Sequence, residues 1–224
     1  MARLLMIRLS VFALALGTRA CRVILIAGTG RAGTTFLVEE LTAAGAPTSF
    51  NQGAIAWTQG TEAHAGLETM PALENDGALS CSAHHRIFKS PYLTTRYRQW
   101  ANATNIEAVV IPVRAAQGAA HSRAKLDRGP GTNRPGGFVA GATTEAEQLA
   151  ANTRMSYDLV YALAAADVPM IFLAYPRHVR DVDYTFSRLE SVLESMNITK
   201  SKFARAHAAT FRKDFVHSSN TSFS

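Results

Sequence analysis

The segment that most constrains this chain runs Val23-Ile24-Leu25-Ile26-Ala27-Gly28-Thr29-Gly30-Arg31-Ala32-Gly33-Thr34-Thr35-Phe36-Leu37. Its first five residues are apolar without alternation and β-branched at three positions, the pattern of a strand covered on both faces in a parallel sheet. Gly28, Gly30 and Gly33 follow. Glycine reaches positive φ and lets backbone approach a ligand closely, so successive N–H groups converge on an anion at the N-terminus of the next helix. Thr34 and Thr35 add hydroxyl donors, and Arg31 adds a fixed charge whose planar fork matches phosphate or sulfate oxygens. A plain strand-turn-helix corner has no need of these side chains, so anion binding is the favoured reading.

Gly28 to Thr35 comes within one position of the nucleoside-triphosphate pattern G-x-x-x-x-G-K-[ST]. Thr34 stands where that pattern places its lysine, the charge that a kinase or ATPase directs at the terminal phosphates. The dinucleotide pattern G-x-G-x-x-G also fits Gly28, Gly30 and Gly33, but Phe50 and Asn51 occupy the place of its acidic partner. The stretch Gly30 to Leu37 resembles instead the 5′-phosphosulfate loop of the sulfotransferases that use 3′-phosphoadenosine 5′-phosphosulfate (PAPS). This resemblance implies cofactor contacts from Gly30, Arg31, Ala32, Gly33, Thr34 and Thr35, with Arg31 where many members carry lysine and others arginine.

Two further segments are similar to the same family. Arg86-Ile87-Phe88-Lys89-Ser90-Pro91 reads as a short strand ending in a cation, with Pro91 opening a helix at its favoured first turn. The resemblance implies that Lys89 faces the sulfuryl group or the acceptor oxygen, where a cation stabilises developing charge. Glu107 to Arg114 reads as a third strand, and Ser122 follows in a helix expected from Ala115 to Leu126. An arginine and a serine at this spacing resemble the family's 3′-phosphate site, in which two guanidinium N–H groups and one hydroxyl meet the phosphate.

The general base is left open. Thr48 to Ser82 has no regular periodicity and reads as a long functional loop or several short helices. Trp57, His64, Glu68 and Asp76 lie in it as candidates for an acceptor pocket, and the resemblance makes Glu68 the candidate base. Ser90 stands where members carry an acid or histidine nearby, so His84 and His85 are further candidates. Asp127 to Gly141 is rich in glycine and proline and reads as a loop able to close over a bound nucleotide or as a mobile linker; Gly136-Gly137-Phe138 resembles the family's Gly-Gly-aromatic segment, which implies that Arg134 and Phe138 touch the cofactor. Thr144 and Glu147 form a capping-box pattern opening a long helix to about Ala166. Val168 to Tyr175 reads as a fourth, buried strand, and helices are expected over Thr185 to Glu194 and Ser201 to Phe211.

The chain has 224 residues, 47% hydrophobic and 18% charged, enough apolar content for one globular core. A formal charge of +6 favours acidic ligands, but Lys and Arg are scattered without the runs or interleaved aromatics of a nucleic-acid face. Cys21 and Cys81 do not make a disulfide framework or a metal site. Residues 1–21 read as a plain extension or a signal segment, 22–214 as the sulfotransferase-like domain and 215–224 as a frayed tail. The apolar run Val11 to Leu16 is too short to span a bilayer. Three sequons, beginning at Asn102, Asn197 and Asn220, matter only in a secretory compartment; the cytoplasm is placed ahead of the secretory or Golgi lumen.

The expected fold is α/β and P-loop NTPase-like, three layers with a mostly parallel sheet and helices on both faces. The expected function is a metal-independent transfer of the sulfuryl group from PAPS to a small-molecule, carbohydrate or lipid acceptor, with Arg31, Lys89 and Glu68 as catalytic residues and Arg114 and Ser122 on the 3′-phosphate. The alternatives are a P-loop nucleotide kinase and a nucleotide-binding protein without catalysis.

Overall fold

The computed structural model describes residues 21–48, 71–90, 93–125 and 141–211. Four strands, β1 (Val23–Ile26), β2 (Ile87–Lys89), β3 (Ile106–Val113) and β4 (Met170–Ala174), form one sheet in the order β2-β1-β3-β4. Every pairing is parallel, with Ile26 in register with Lys89 on one side and with Val110 on the other. The helices are α1 (Thr34–Ala43), α2 (Ala116–Ala124), α3 (Glu145–Ala165), α4 (Arg177–Arg180), α5 (Val182–Glu194) and α6 (Lys200–Thr210).

Side chains of a strand alternate between its two faces, and here each face has its own apolar cluster. Ile24, Ile26, Ala108, Val110 and Leu173 pack with Leu37 and Leu41 of α1, Leu189 and Val192 of α5, and Phe203 of α6. Val23, Leu25, Val109 and Ile111 pack with Trp100 and with Leu159 and Leu163 of α3. The unbroken apolar run of β1 follows from cover on both faces. A polar pair is enclosed as well: Glu40 of α1 and His207 of α6 approach to 2.6 Å, and burial pushes the Glu40 carboxyl above its usual range.

Local signals account for several element ends. Thr144 accepts from the Glu147 N–H, and the Glu147 carboxylate accepts from the Thr144 N–H, which completes the expected capping box of α3. Gly45, at φ 80°, turns the chain out of α1. The helix expected after Pro91 is replaced, over the described residues 93–104, by turns and one 3-10 turn at Tyr97–Gln99.

The sequence predicts a buried β4; among the described residues it is an edge strand, with Leu173 fully enclosed but Phe172 37% exposed. Bonds from Val109 N to the Pro169 carbonyl and from Tyr175 N to the Val113 carbonyl turn the odd-numbered peptide groups of β4 toward β3. The Ala174 N–H and the Phe172 carbonyl therefore face away from β3. Tyr184 Oη accepts from the former at 3.0 Å and Arg188 Nε donates to the latter at 3.3 Å.

Cys21 and Cys81 correct the sequence expectation in another way. They are joined in a disulfide with Cα atoms 5.9 Å apart, although 60 positions separate them in the chain. Spacing carries no information on such proximity, because the parallel register of β1 and β2 creates it. Asn105 binds the same corner: its amide donates to the Cys21 and Leu79 carbonyls at 2.9 and 2.8 Å and accepts from the Leu79 N–H at 2.7 Å. No helix among the described residues is long and apolar enough to cross a membrane.

The two sides of β4 make a testable contrast. Leu173→Ala is expected to lower unfolding free energy by about 2–5 kcal/mol, and Phe172→Ala by less than half as much, in urea titrations with unchanged m-value.

Candidate anion-binding site

β1 ends at the carboxyl edge of the sheet, where ligands of open parallel sheets bind, and passes into a loop with an unusual backbone. Gly28, Gly30, Arg31 and Gly33 all have positive φ, at 139°, 75°, 56° and 80°. For Arg31 that conformation costs roughly 1–2 kcal/mol, so its surroundings must impose it. Thr94, buried beside the loop, accepts from the Gly28 N–H at 2.8 Å and donates to the Gly28 carbonyl at 2.6 Å. Arg114, at the end of β3, donates to the Arg31 carbonyl at 3.1 Å. Arg123 of α2 donates to the Thr29 carbonyl.

The glycines answer to close packing. A Cβ on Gly30 would lie 2.7 Å from the Arg123 guanidinium, and one on Gly33 would lie 2.6 Å from Nε2 of His178. Gly33 then enters α1 without any side chain to cap it, and the first turn of α1 holds no acid. Its leading N–H groups and the positive end of the helix dipole thus meet the loop.

Three guanidinium groups surround this backbone. Arg31 Nε donates to the Ser122 hydroxyl at 3.0 Å, and the Arg114 guanidinium lies over the Tyr175 ring at 4.8 Å from its centre. Among the described residues, Arg31 and Arg114 have a hydroxyl, a carbonyl and an aromatic face as neighbours, none of them an anion. Arg114 Nε is buried without a hydrogen-bond partner among those residues. Burial, and then the charge of Arg114, lower the pKa of Arg31, with Tyr175 acting the other way. Arg123 is pushed down to about 10 by burial and then by Arg31. Planar guanidinium forks, hydroxyls and backbone N–H groups are the donor types that meet tetrahedral anions.

No protein-family model, curated protein or solved structure matches this chain. The residues named from sequence are nevertheless gathered in part. Gly30 to Thr35, Arg114 and Ser122 form one cluster, with Arg31 touching both Ser122 and Arg114. Lys89, half-buried, ends β2 at the same edge of the sheet. His84 and His85 are exposed and precede β2, so they sit at its opposite end. The Asp76 carboxylate accepts from the Ala78 N–H in a turn. Trp57, His64, Glu68, Arg134 and Phe138 lie outside the described residues.

Three contributors escaped the sequence reading: Thr94, Arg123 and His178. Arg123 had a weak signal, since it follows Ser122 and falls four positions after the buried Ala119 on one face of α2. The other two reach the loop only through tertiary packing, and Tyr175, read from sequence as the end of the fourth strand, meets Arg114 in the same way.

His178 gives the site a pH dependence. It is fully enclosed, and burial holds its imidazole below the ordinary 6.5. The unfolded chain therefore takes up this proton more readily, and stability falls as pH drops through 6.5 toward the native value. His178→Gln is expected to flatten that part of a Tm profile taken between about pH 5 and 8. Gly33→Ala combines a left-handed backbone with a clash on His178, and is expected to lower both Tm and anion affinity in scanning calorimetry and phosphate titration.

Proposed function

We propose that the chain is a sulfotransferase that moves a sulfuryl group from PAPS to a hydroxyl or amine acceptor, on a three-layer, P-loop-like α/β scaffold. One observation carries this reading: Arg31 lies within hydrogen-bond reach of Ser122 and also receives Arg114 on its own carbonyl. The residues that resemble a 5′-phosphosulfate loop and those that resemble a 3′-phosphate site are thus neighbours on one sheet edge. The orphaned Arg114 Nε and the absence of an anionic neighbour for Arg31 and Arg114 among the described residues suit a ligand with an anion at each end of a nucleoside.

PAPS supplies an activated sulfuryl group when bound. Arg31 and the N–H groups of Gly30 to Thr35 would hold its 5′ end and spread negative charge over several donors. Ser122 accepts from Arg31 and keeps its own O–H to donate to a 3′-phosphate oxygen, while Arg114 offers its guanidinium fork. Lys89 would bring its ammonium to the oxygen that separates from sulfur. Glu68 remains the candidate base toward the acceptor proton.

A nucleotide kinase would need the cation that Thr34 replaces in the loop, and therefore fits less well. A nucleotide-binding protein without catalysis would use the same cluster and no base.

Calorimetry with 3′-phosphoadenosine 5′-phosphate is expected to show binding that ATP competes for weakly. Arg114→Ala should weaken it more than tenfold, about 1.4 kcal/mol. Preference for ATP with magnesium, or no binding at all, would sink the proposal. Sulfuryl transfer from PAPS to an acceptor panel then separates the enzyme from the non-catalytic reading.

A further inference from the structure

The strands are all parallel, so their starts share one pole of the molecule and the anion site occupies the other. Three features that have no part in that site meet at the starting pole. Cys21, two positions before β1, is bonded to Cys81. Asn102-Ala103-Thr104 lies in the turn that leads into β3, with Asn102 exposed. Asn197-Ile198-Thr199 follows α5, with Asn197 exposed at φ 57° and beside Pro47, Thr48 and Arg86 ahead of β2.

Two other asparagines are consumed by the fold. Asn105 is buried with its amide bonded to the Cys21 and Leu79 carbonyls, and the buried Asn152 pairs with Gln148. Asn102 and Asn197 instead project at turns, each followed by the hydroxyl residue that an N-glycosylation acceptor needs. A disulfide persists in oxidising compartments, and sequons are used in the same compartments.

We infer that the chain matures in an oxidising, glycosylating lumen and carries N-linked glycans at Asn102 and Asn197. At each site the side-chain nitrogen bonds to the anomeric carbon of an oligosaccharyl pyrophosphate lipid. The amide loses one proton, and the lipid pyrophosphate leaves. Cys21 and Cys81 give up two electrons and two protons to an oxidised thiol-disulfide exchange protein. This proposal places the lumen ahead of the cytoplasm. Both glycans would stand at the strand-start pole, away from Arg31, Arg114 and Ser122, so ligand access is kept. The inference does not depend on the sulfotransferase reading.

The test is peptide mass spectrometry of the full chain isolated from the cells that make it, blocked with an alkylating reagent before denaturation. Amide-specific glycosidase in heavy-oxygen water is expected to convert Asn102 and Asn197 to labelled aspartate, and Cys21 and Cys81 to emerge in one cross-linked peptide pair. Thr104→Val should abolish labelling at the unchanged Asn102, whereas Thr104→Ser should keep it. An unlabelled asparagine overturns the assignment at that position. Alkylated Cys21 and Cys81 overturn the compartment.

Discussion

Two guanidinium groups of the same sign, Arg31 and Arg114, are held against one short loop, and much else in the structure serves to keep them there. Burial first, and then the charge of Arg114, lower the pKa of Arg31. The loop adopts a backbone that Arg31 would not choose by itself. Stabilisation comes from the surroundings: Thr94 clamps Gly28, Arg114 and Arg123 occupy the Arg31 and Thr29 carbonyls, and Tyr175 lies under Arg114. β1 is the central anchor of this arrangement, since β3 beside it delivers Arg114 and β2 delivers Lys89 to the same edge. An anion would relieve repulsion that the fold sustains by packing.

The legible part of this arrangement was what local chemistry encodes. The apolar run of β1, the glycines after it, the capping box at Thr144 and the arginine ending β3 each have a reason within a few residues, and each stands in the structure where sequence placed it. The α/β class followed from strands alternating with helices. What failed depended on neighbours. β4 reads as a buried strand because Leu173 and Ile171 are apolar, yet nothing in that stretch tells that no strand lies beyond it among the described residues. Thr94 and His178 carry no signal of their own, because their importance is a matter of which loop they are folded against. The cysteine pair was invisible for the same reason.

The parallel sheet also divides the molecule by direction. Strand ends present arginines and the start of α1, the groups gathered around the glycine-rich loop. Strand starts are fastened, by the Cys21–Cys81 bond and by the Asn105 amide spanning two backbone carbonyls. Fastening one pole lets the other carry an unfavourable backbone conformation without loosening the sheet that supports both.

Tyr184 and Arg188 of α5 have a consequence beyond the packing of β4. An uncovered strand offers unpaired donors and acceptors as a template on which another extended chain can add. Here the outward Ala174 N–H and Phe172 carbonyl are already engaged by side chains of the following helix. A foreign strand would have to displace both before it could extend the sheet, so α5 guards the molecule against edge-to-edge aggregation.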